Sequence, residues 1–249
     1  AMYSFLCEIY SPENLDFYIP NRYREGYGVS KAGIDFAFEN NFKLIVCLDC
    51  GIKSTTLIAY AKELGVEFIV CDHHLPGTEL PPAVAILNAK QDGCNYPYKE
   101  LCGCGVGFKL CQGLNTIYKI PESELFELTD LLAISIASDI VAMTGENRVL
   151  AMQGLKFLRK TRKFGLRLLI PEEKLAHFEI SNIVFDIAPK INAAGRISHA
   201  KASVELMISD NLKQAQQMVE NIINLNDERR EMDINITQSA MSQALELQK

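Results

Sequence analysis

No apolar run in this chain approaches the roughly 20 residues needed to cross a bilayer, and no basic-then-apolar segment opens it. A membrane span and a secretory leader are therefore not expected. Nor is there a disulfide framework. The eight cysteines fall largely inside or beside apolar runs, as Cys47, Cys71 and Cys111 do, which is how reduced, buried thiols are used in cytosolic proteins. A cytoplasmic address is expected. Cys94, Cys102, Cys104 and Cys111 lack paired Cys-x-x-Cys knuckles, which argues against a zinc module. An excess of positive charge is missing too: the net charge is −6, so the protein as a whole is no electrostatic magnet for DNA. With 249 residues, 48% hydrophobic and 22% charged, the composition is that of an ordinary globular protein of one large or two modest domains.

Among what is present, the stretch Phe68-Ile-Val-Cys-Asp-His-His-Leu-Pro76 stands out. Its apolar, β-branched run stops abruptly at Asp72, His73 and His74, which reads as a buried strand delivering polar side chains to its C-terminal end. Open α/β sheets bind ligands at that edge. Leu44-Ile-Val-Cys-Leu-Asp49-Cys-Gly51 has the same design. Between the two, Ser54 to Leu64 reads as a helix, with Ser54, Thr55 and Thr56 available as caps, an apolar face of Leu57, Ile58, Ala61 and Leu64, and Gly65 as the stop. A strand, helix, parallel strand unit returns the chain to one edge of the sheet, so Asp49 and Asp72 are expected there together with both histidines. Oxygen and imidazole donors suit Mn²⁺ or other borderline-hard divalent ions. The plainer alternative is that Asp72 caps a turn and the histidines are solvated; the second carboxylate-ended strand favours the metal site.

The Asp72-His73-His74 triplet, preceded by Leu48-Asp49-Cys50-Gly51, resembles the DHH phosphoesterase superfamily. Further blocks resemble its RecJ-type branch of single-stranded-DNA exonucleases: Tyr18 to Gly28, His74 to Gly77, Gly103 to Leu110, Ser138 to Val141, Gly145 to Arg148, and Pro189-Lys-Ile-Asn-Ala-Ala-Gly-Arg196. The likeness runs nearly end to end and keeps the family order. It implies an α/β fold, a parallel sheet flanked by helices over residues 1–205, followed by a mostly helical connector over residues 206–249 towards a second domain. The family's first motif, an Asp-x-Asp pair, is absent, since only Asp16 and Asp35 precede Asp49. The first residues read as the end of a helix begun upstream.

Other segments carry a functional and a structural reading side by side. Arg22, Tyr23, Arg24 and Tyr27 in the loop Pro20 to Gly28 are equally suited to contacting nucleic acid and to surface packing. Leu155 to Arg167 holds six basic residues and no acid, which reads as a solvated face or as a track for phosphates; the resemblance favours DNA. Gly103, Gly105 and Gly107 open a helix and suit close packing, with amides that can face a phosphate. Leu15 to Ile19 and Ala83 to Leu87 read as short strands, Ser30 to Asn40 as a helix, and Leu125 to Ser138 as one buried helix ended by Asp139. Beyond Lys201 the pattern is helical, interrupted near Asp210 and Asn211, with Met218, Ile222, Ile223 and Leu225 on a packed face. Lys190, Asn192 and Arg196 can donate hydrogen bonds to a phosphodiester, beside small residues that allow close approach.

By resemblance, two Mn²⁺ or Mg²⁺ ions roughly 4 Å apart activate a water and stabilise both reacting oxygens. Asp49 bridges them, His73 and Asp139 are further ligands, His74 contacts the scissile phosphate, and Asp72 orients the histidine pair. Arg148 joins Lys190, Asn192 and Arg196 as a DNA contact. The activity implied is 5′-to-3′ hydrolysis of single-stranded DNA in repair and recombination, with a helicase and a single-strand-binding protein as partners and no membrane. Without the Asp-x-Asp pair, the chain by itself is expected to bind metal weakly and turn over little. Two alternatives remain: a DHH phosphoesterase acting on short or cyclic oligonucleotides or pyrophosphate, and a non-catalytic DNA-binding replication scaffold.

Overall fold

The computed structural model describes residues 1–197 and 200–247. Three parallel strands form its centre: β1 (Leu44–Leu48), β2 (Glu67–Cys71) and β3 (Ala85–Leu87), in that order across the sheet. Ahead of them lie α1 (Met2–Cys7) and α2 (Lys31–Glu39). Ser30 caps α2, its hydroxyl accepting the Gly33 amide at 3.0 Å. The crossover helix α3 (Thr55–Glu63) joins β1 to β2. Leu48 pairs with Cys71 and Cys71 with Leu87, and the ladder continues one residue further, with the Asp49 amide donating to Cys71 O and the Asp72 amide to Leu87 O. Both aspartates therefore leave the sheet at one edge and one level, as the crossover rule requires.

Helices cover both faces, as a parallel sheet demands. On one, Cys47, Phe68 and Val70 bury against Ile34 and Ala37 of α2 and Ile58 and Ala61 of α3. On the other, Val46, Ile69, Cys71 and Leu87 meet α4 (Gly103–Tyr118) through Val106 and Cys111. Cysteines serve here as packing and capping groups: Cys102 Sγ accepts the Gly105 amide at the start of α4. The chain then turns entirely helical, through α5 (Glu122–Glu127), α6 (Thr129–Ser138), α7 (Gly145–Leu158), α8 (Phe164–Leu169) and a short α9 (Ile180–Asn182). A π-turn (Ile183–Ile187) leads into α10 (Ala188–Ile197), followed by α11 (Lys201–Ile208) and the long α12 (Leu212–Leu247). A second core, among α6, α7, α8, the π-turn, α10, α11 and α12, is built on Leu158, Leu166, Ile187, Leu206 and Ile222.

Several expectations need correction. Leu15 to Ile19 is extended but pairs with no strand of the three-stranded sheet among the described residues; a backbone without a ladder partner forms no strand. The expected single helix over Leu125 to Ser138 is two, meeting at Leu128, where the backbone tightens and the Leu128 amide donates to Leu125 O three residues back. Ile223 is 36% exposed, whereas Met218, Ile222 and Leu225 do pack on the second core. The basic stretch Leu155 to Arg167 is bent between α7 and α8, and half of its charges have structural partners. Arg159 donates to Phe178 O, Lys163 pairs with buried Asp130 at 2.8 Å, and Arg167 pairs with Glu172.

The crossing of α6 and α7 depends on Gly154. A Cβ there would meet the Thr129 carbonyl oxygen and lie 2.7 Å from Ala133 Cβ. Gly154→Ala is expected to lower stability by about 1–3 kcal/mol through overpacking, despite the better helix propensity of alanine. Urea unfolding checks this.

Candidate metal centre

The sheet edge gathers four of the five predicted ligand and catalytic residues around one point, with the fifth, Asp72, holding them. Asp49 follows β1 directly and takes a left-handed backbone, φ 64°, which aspartate tolerates better than most residues. That conformation turns its carboxylate back over the end of the sheet. The start of α4 closes down on it: a Cβ at Gly103 would sit 2.5 Å from Asp49 Cβ and closer still to the carboxylate. Glycine is required here by approach. Asp139 caps the C-terminal end of α6, bringing a second carboxylate to the same place from a helix far along the chain.

His73 Nε2 lies 3.1 Å from Asp49 Oδ1 and 3.5 Å from Asp139 Oδ2, with the ring only 12% exposed. Asp49 Oδ1 is itself shielded from solvent and has no aligned hydrogen-bond partner. Donor atoms of Asp49, His73 and His74 fall within 4.8 Å of one another. An orphaned carboxylate oxygen facing an imidazole nitrogen and a second carboxylate is the arrangement a divalent cation satisfies, so these residues fit an Mn²⁺ or Mg²⁺ ion. The Asp49 carboxylate raises the His73 pKa above its usual value, against the opposing effect of burial and with help from Asp139. Burial pushes the Asp139 carboxyl up, reinforced by Asp49 and countered by His73.

Asp72 is 1% exposed and supports the others. It accepts the Ile52 amide at 3.0 Å, the His73 amide at 2.8 Å and the His74 amide at 3.2 Å, and it lies 2.7 Å from His74 Nδ1. Burial alone would raise its pKa, but the Ile52 amide and the ring and amide of His74 outweigh burial and hold it below the usual carboxylate range. An ionised carboxylate only accepts. His74 Nδ1 is therefore the donor, and its Nε2 is left free to face the cluster, in a ring that also stands edge-on to His73 at 4.6 Å.

The DNA-contact candidates are not brought together in this way. Arg148 is exposed in the first turn of α7, Lys190 is half-buried on α10 and Asn192 is exposed on α10. Among the described residues, none of the three forms a hydrogen bond or ion pair with the cluster. The Arg196 side chain lies outside the described residues. Sequence reasoning missed the intimate contact of Gly103 with Asp49, whose only signal was a glycine-rich helix start. Tyr27, one of the loop residues with two readings, lies near the cluster: burial and then the Asp49 carboxylate raise its phenol pKa. A cleft of about 920 Å³ lies elsewhere, bordered by Phe5, Leu128, Lys163 and Met207 and by none of the cluster residues. Chemistry rather than size locates the site.

A carboxylate and histidine cluster at the C-terminal edge of a parallel sheet is an arrangement suited to a metal ion in an α/β protein, and the comparisons narrow this class. The family model of the DHH family, N-terminal domain, matches residues 1–136; the chain belongs to the DHH family, in its RecJ-type branch. It is 41% identical over 232 residues to the single-stranded-DNA-specific exonuclease RecJ of Bacillus subtilis, a match covering 91% of this chain and 28% of that protein. The RecJ of Escherichia coli is 36% identical, over 88% of this chain and 40% of its own length. A crystal structure of exonuclease RecJ bound to manganese superposes with a TM-score of 0.81 at 31% identity, over 91% of this chain and 57% of that one. RecJ of Thermus thermophilus with Mn²⁺ gives 0.75 at 30% identity, over 86% and 32%. The chain thus spans well under half the length of these curated relatives. No helix among the described residues is long and apolar enough to cross a membrane.

Protonated His73 stabilises the folded, metal-free chain, because its pKa is higher folded than unfolded. That contribution is complete below about 6.5, its ordinary value, and is lost as pH rises through the higher folded value. Asp49→Asn is expected to bring the His73 pKa down. Gly103→Ala should do the same while leaving the helix intact, because it displaces the carboxylate. An NMR titration of the His73 ring in all three proteins tests this; an unmoved His73 pKa in both variants contradicts the coupling.

Proposed function

We propose that this chain carries the metal centre of a 5′-to-3′ single-stranded-DNA exonuclease. The observation that carries the reading is the convergence of Asp49 Oδ1, His73 Nε2 and Asp139 Oδ2, with the first at 3.1 Å and the last at 3.5 Å from His73 Nε2 and Asp49 Oδ1 shielded from solvent without an aligned hydrogen bond. The kinship with RecJ exonucleases, two of them described with Mn²⁺, supports the substrate class and the cation.

In this reading Asp49, His73 and Asp139 hold the cation, with Asp49 placed to bridge a pair. The chemistry bound Mn²⁺ or Mg²⁺ supplies is a lowered pKa for a water and stabilisation of the attacking and leaving oxygens of a phosphodiester. His73 would hold the cation through a neutral, unprotonated Nε2, so binding would compete with the protonation that the two carboxylates favour. Asp72 holds the Nδ1–H of His74 and so fixes its ring, leaving Nε2 to meet the scissile phosphate. The left-handed turn at Asp49 and the close approach of Gly103 keep the carboxylate aimed without a mobile linker. Lys190, Asn192, Arg196 and Arg148 contact the strand. Residues 1–205 form the catalytic unit and 206–249 the connector. The same reading gives the whole protein a place in repair and recombination in the cytoplasm, beside a helicase and a single-strand-binding protein.

The test is release of mononucleotide from 5′-labelled single-stranded DNA in Mn²⁺. Any release by this chain is expected to require the cation and to fall in Asp49→Ala by more than the roughly 10–100-fold typical of an outer partner's loss. Duplex DNA should resist. Turnover that survives both EDTA and Asp49→Ala would sink the reading, and strand binding without any metal-dependent turnover, even in a version of the chain supplied with the Asp-x-Asp pair, would favour a scaffold instead.

A further inference from the structure

Beside Asp139 the surface falls into a cavity of about 220 Å³, lined among others by Ser138, Ile140, Val184, Asn192 and Arg229. Its walls come from the C-terminal end of α6, the π-turn, α10 and α12, and four features of it are unusual. Ile140, immediately after Asp139, is 95% exposed and has φ 55°, a left-handed backbone that is a genuine outlier for a β-branched residue. Val184 lies in the π-turn, a rare form of helix that recurs at functional sites, and its neighbour Phe185 is 78% exposed. Arg229 Nε is shielded from solvent and has no hydrogen-bond partner; Nη1 reaches only Asp233 Oδ2, at 3.5 Å. Asn226, one turn earlier on the same helix, buries an unpartnered Oδ1. Of these two orphan atoms only that of Arg229 lies in the cavity wall, and a buried unpartnered guanidinium nitrogen beside a strained and exposed aliphatic side chain is costly unless something is meant to meet it.

We propose that this cavity is a nucleotide subsite for the single strand, in which Arg229 and Asn192 hold a backbone phosphate and Ile140 and Val184 pack against the adjoining base. The proposal rests on the single-stranded-DNA reading and adds a site to it. The chemistry matches a nucleotide: a guanidinium and an amide for the phosphate, apolar surface for a base face. At about 220 Å³ the cavity is smaller than the roughly 300–1,000 Å³ of ordinary ligand pockets, so it takes a phosphate and part of one base and not a cyclic dinucleotide. Ser138 and Ile140 flank Asp139 in the chain, so the cavity lies within one residue of a carboxylate of the cluster.

The experiment measures fluorescence anisotropy of a short oligothymidylate carrying a 3′ fluorescein, in EDTA so that nothing is cut, across a range of salt. Arg229→Gln is expected to bind about tenfold more weakly and to flatten the log–log salt dependence by roughly 0.7, the loss of one phosphate contact on a single strand; Arg229→Lys should recover the slope. Because Arg229 is partly buried, Ile140→Gly provides an independent arm. It relieves the left-handed strain, so its urea midpoint should be equal or higher, while binding falls by roughly fivefold or more. A purely structural role for Ile140 would move stability and leave binding alone. If both variants bind like the parent chain, the subsite is wrong, and metal-dependent hydrolysis by a version of the chain supplied with the Asp-x-Asp pair shows that the exonuclease reading survives it. A parent chain that does not bind the oligonucleotide, together with no hydrolysis by that version, overturns both.

Discussion

The closeness of Asp49 to its neighbours is the constraint on which the rest of the site depends. Its carboxylate is packed between the first residue of α4, which must be glycine, and the ring of His73. Neither α4 nor the His73 loop can shift without moving it, and α4 in turn lies on the sheet through Val106 and Cys111. The position of one oxygen is thereby tied to the packing of a whole helix. A metal centre needs this kind of stiffness, because ligands that can move apart bind a small cation poorly.

Electrostatics explains why the cluster is built in two tiers. Asp49 and Asp139 face each other across His73, and two carboxylates so placed repel unless a positive group stands between them. In the metal-free chain the two carboxylates favour the protonated form of His73, which is why its pKa is raised. Asp72 is separated from this exchange by its own donors, the Ile52, His73 and His74 amides. A buried carboxylate satisfied in this way stays charged and still, so it can orient His74 without competing for the cation.

The helical half extends the same logic. Asp139 comes from α6, whose other faces are committed to Leu132, Ala133 and Ile136 in the two cores, so the second carboxylate is held by packing as firmly as the first is held by the sheet. The first part of α12 packs on that helical core through Ala215, Val219 and Ile222. Its later part leaves Met232, Ile234, Ile236, Met241 and Leu245 exposed.

Much of this was legible in the sequence because it is local. Apolar runs ended by Asp49 and by Asp72, with one helix between them, determine two parallel strands and the edge at which their polar residues emerge; chain connectivity and crossover handedness leave little else. The Asp-His-His triplet carried the metal chemistry because Asp72 can reach the amides and ring of the two residues after it without help from elsewhere. What only the tertiary structure decided are the contacts between distant segments. Gly103 against Asp49, Asp139 opposite His73, the turn at Leu128 that splits α5 from α6, the pairing of Lys163 with buried Asp130, and the orphaned Arg229 beside Ile140 all join residues with no periodic or motif relation to one another. Hydrophobic pattern specifies which face of an element is buried, whereas the partner it meets, and hence which polar atoms are satisfied or left open, is set by how the helices pack.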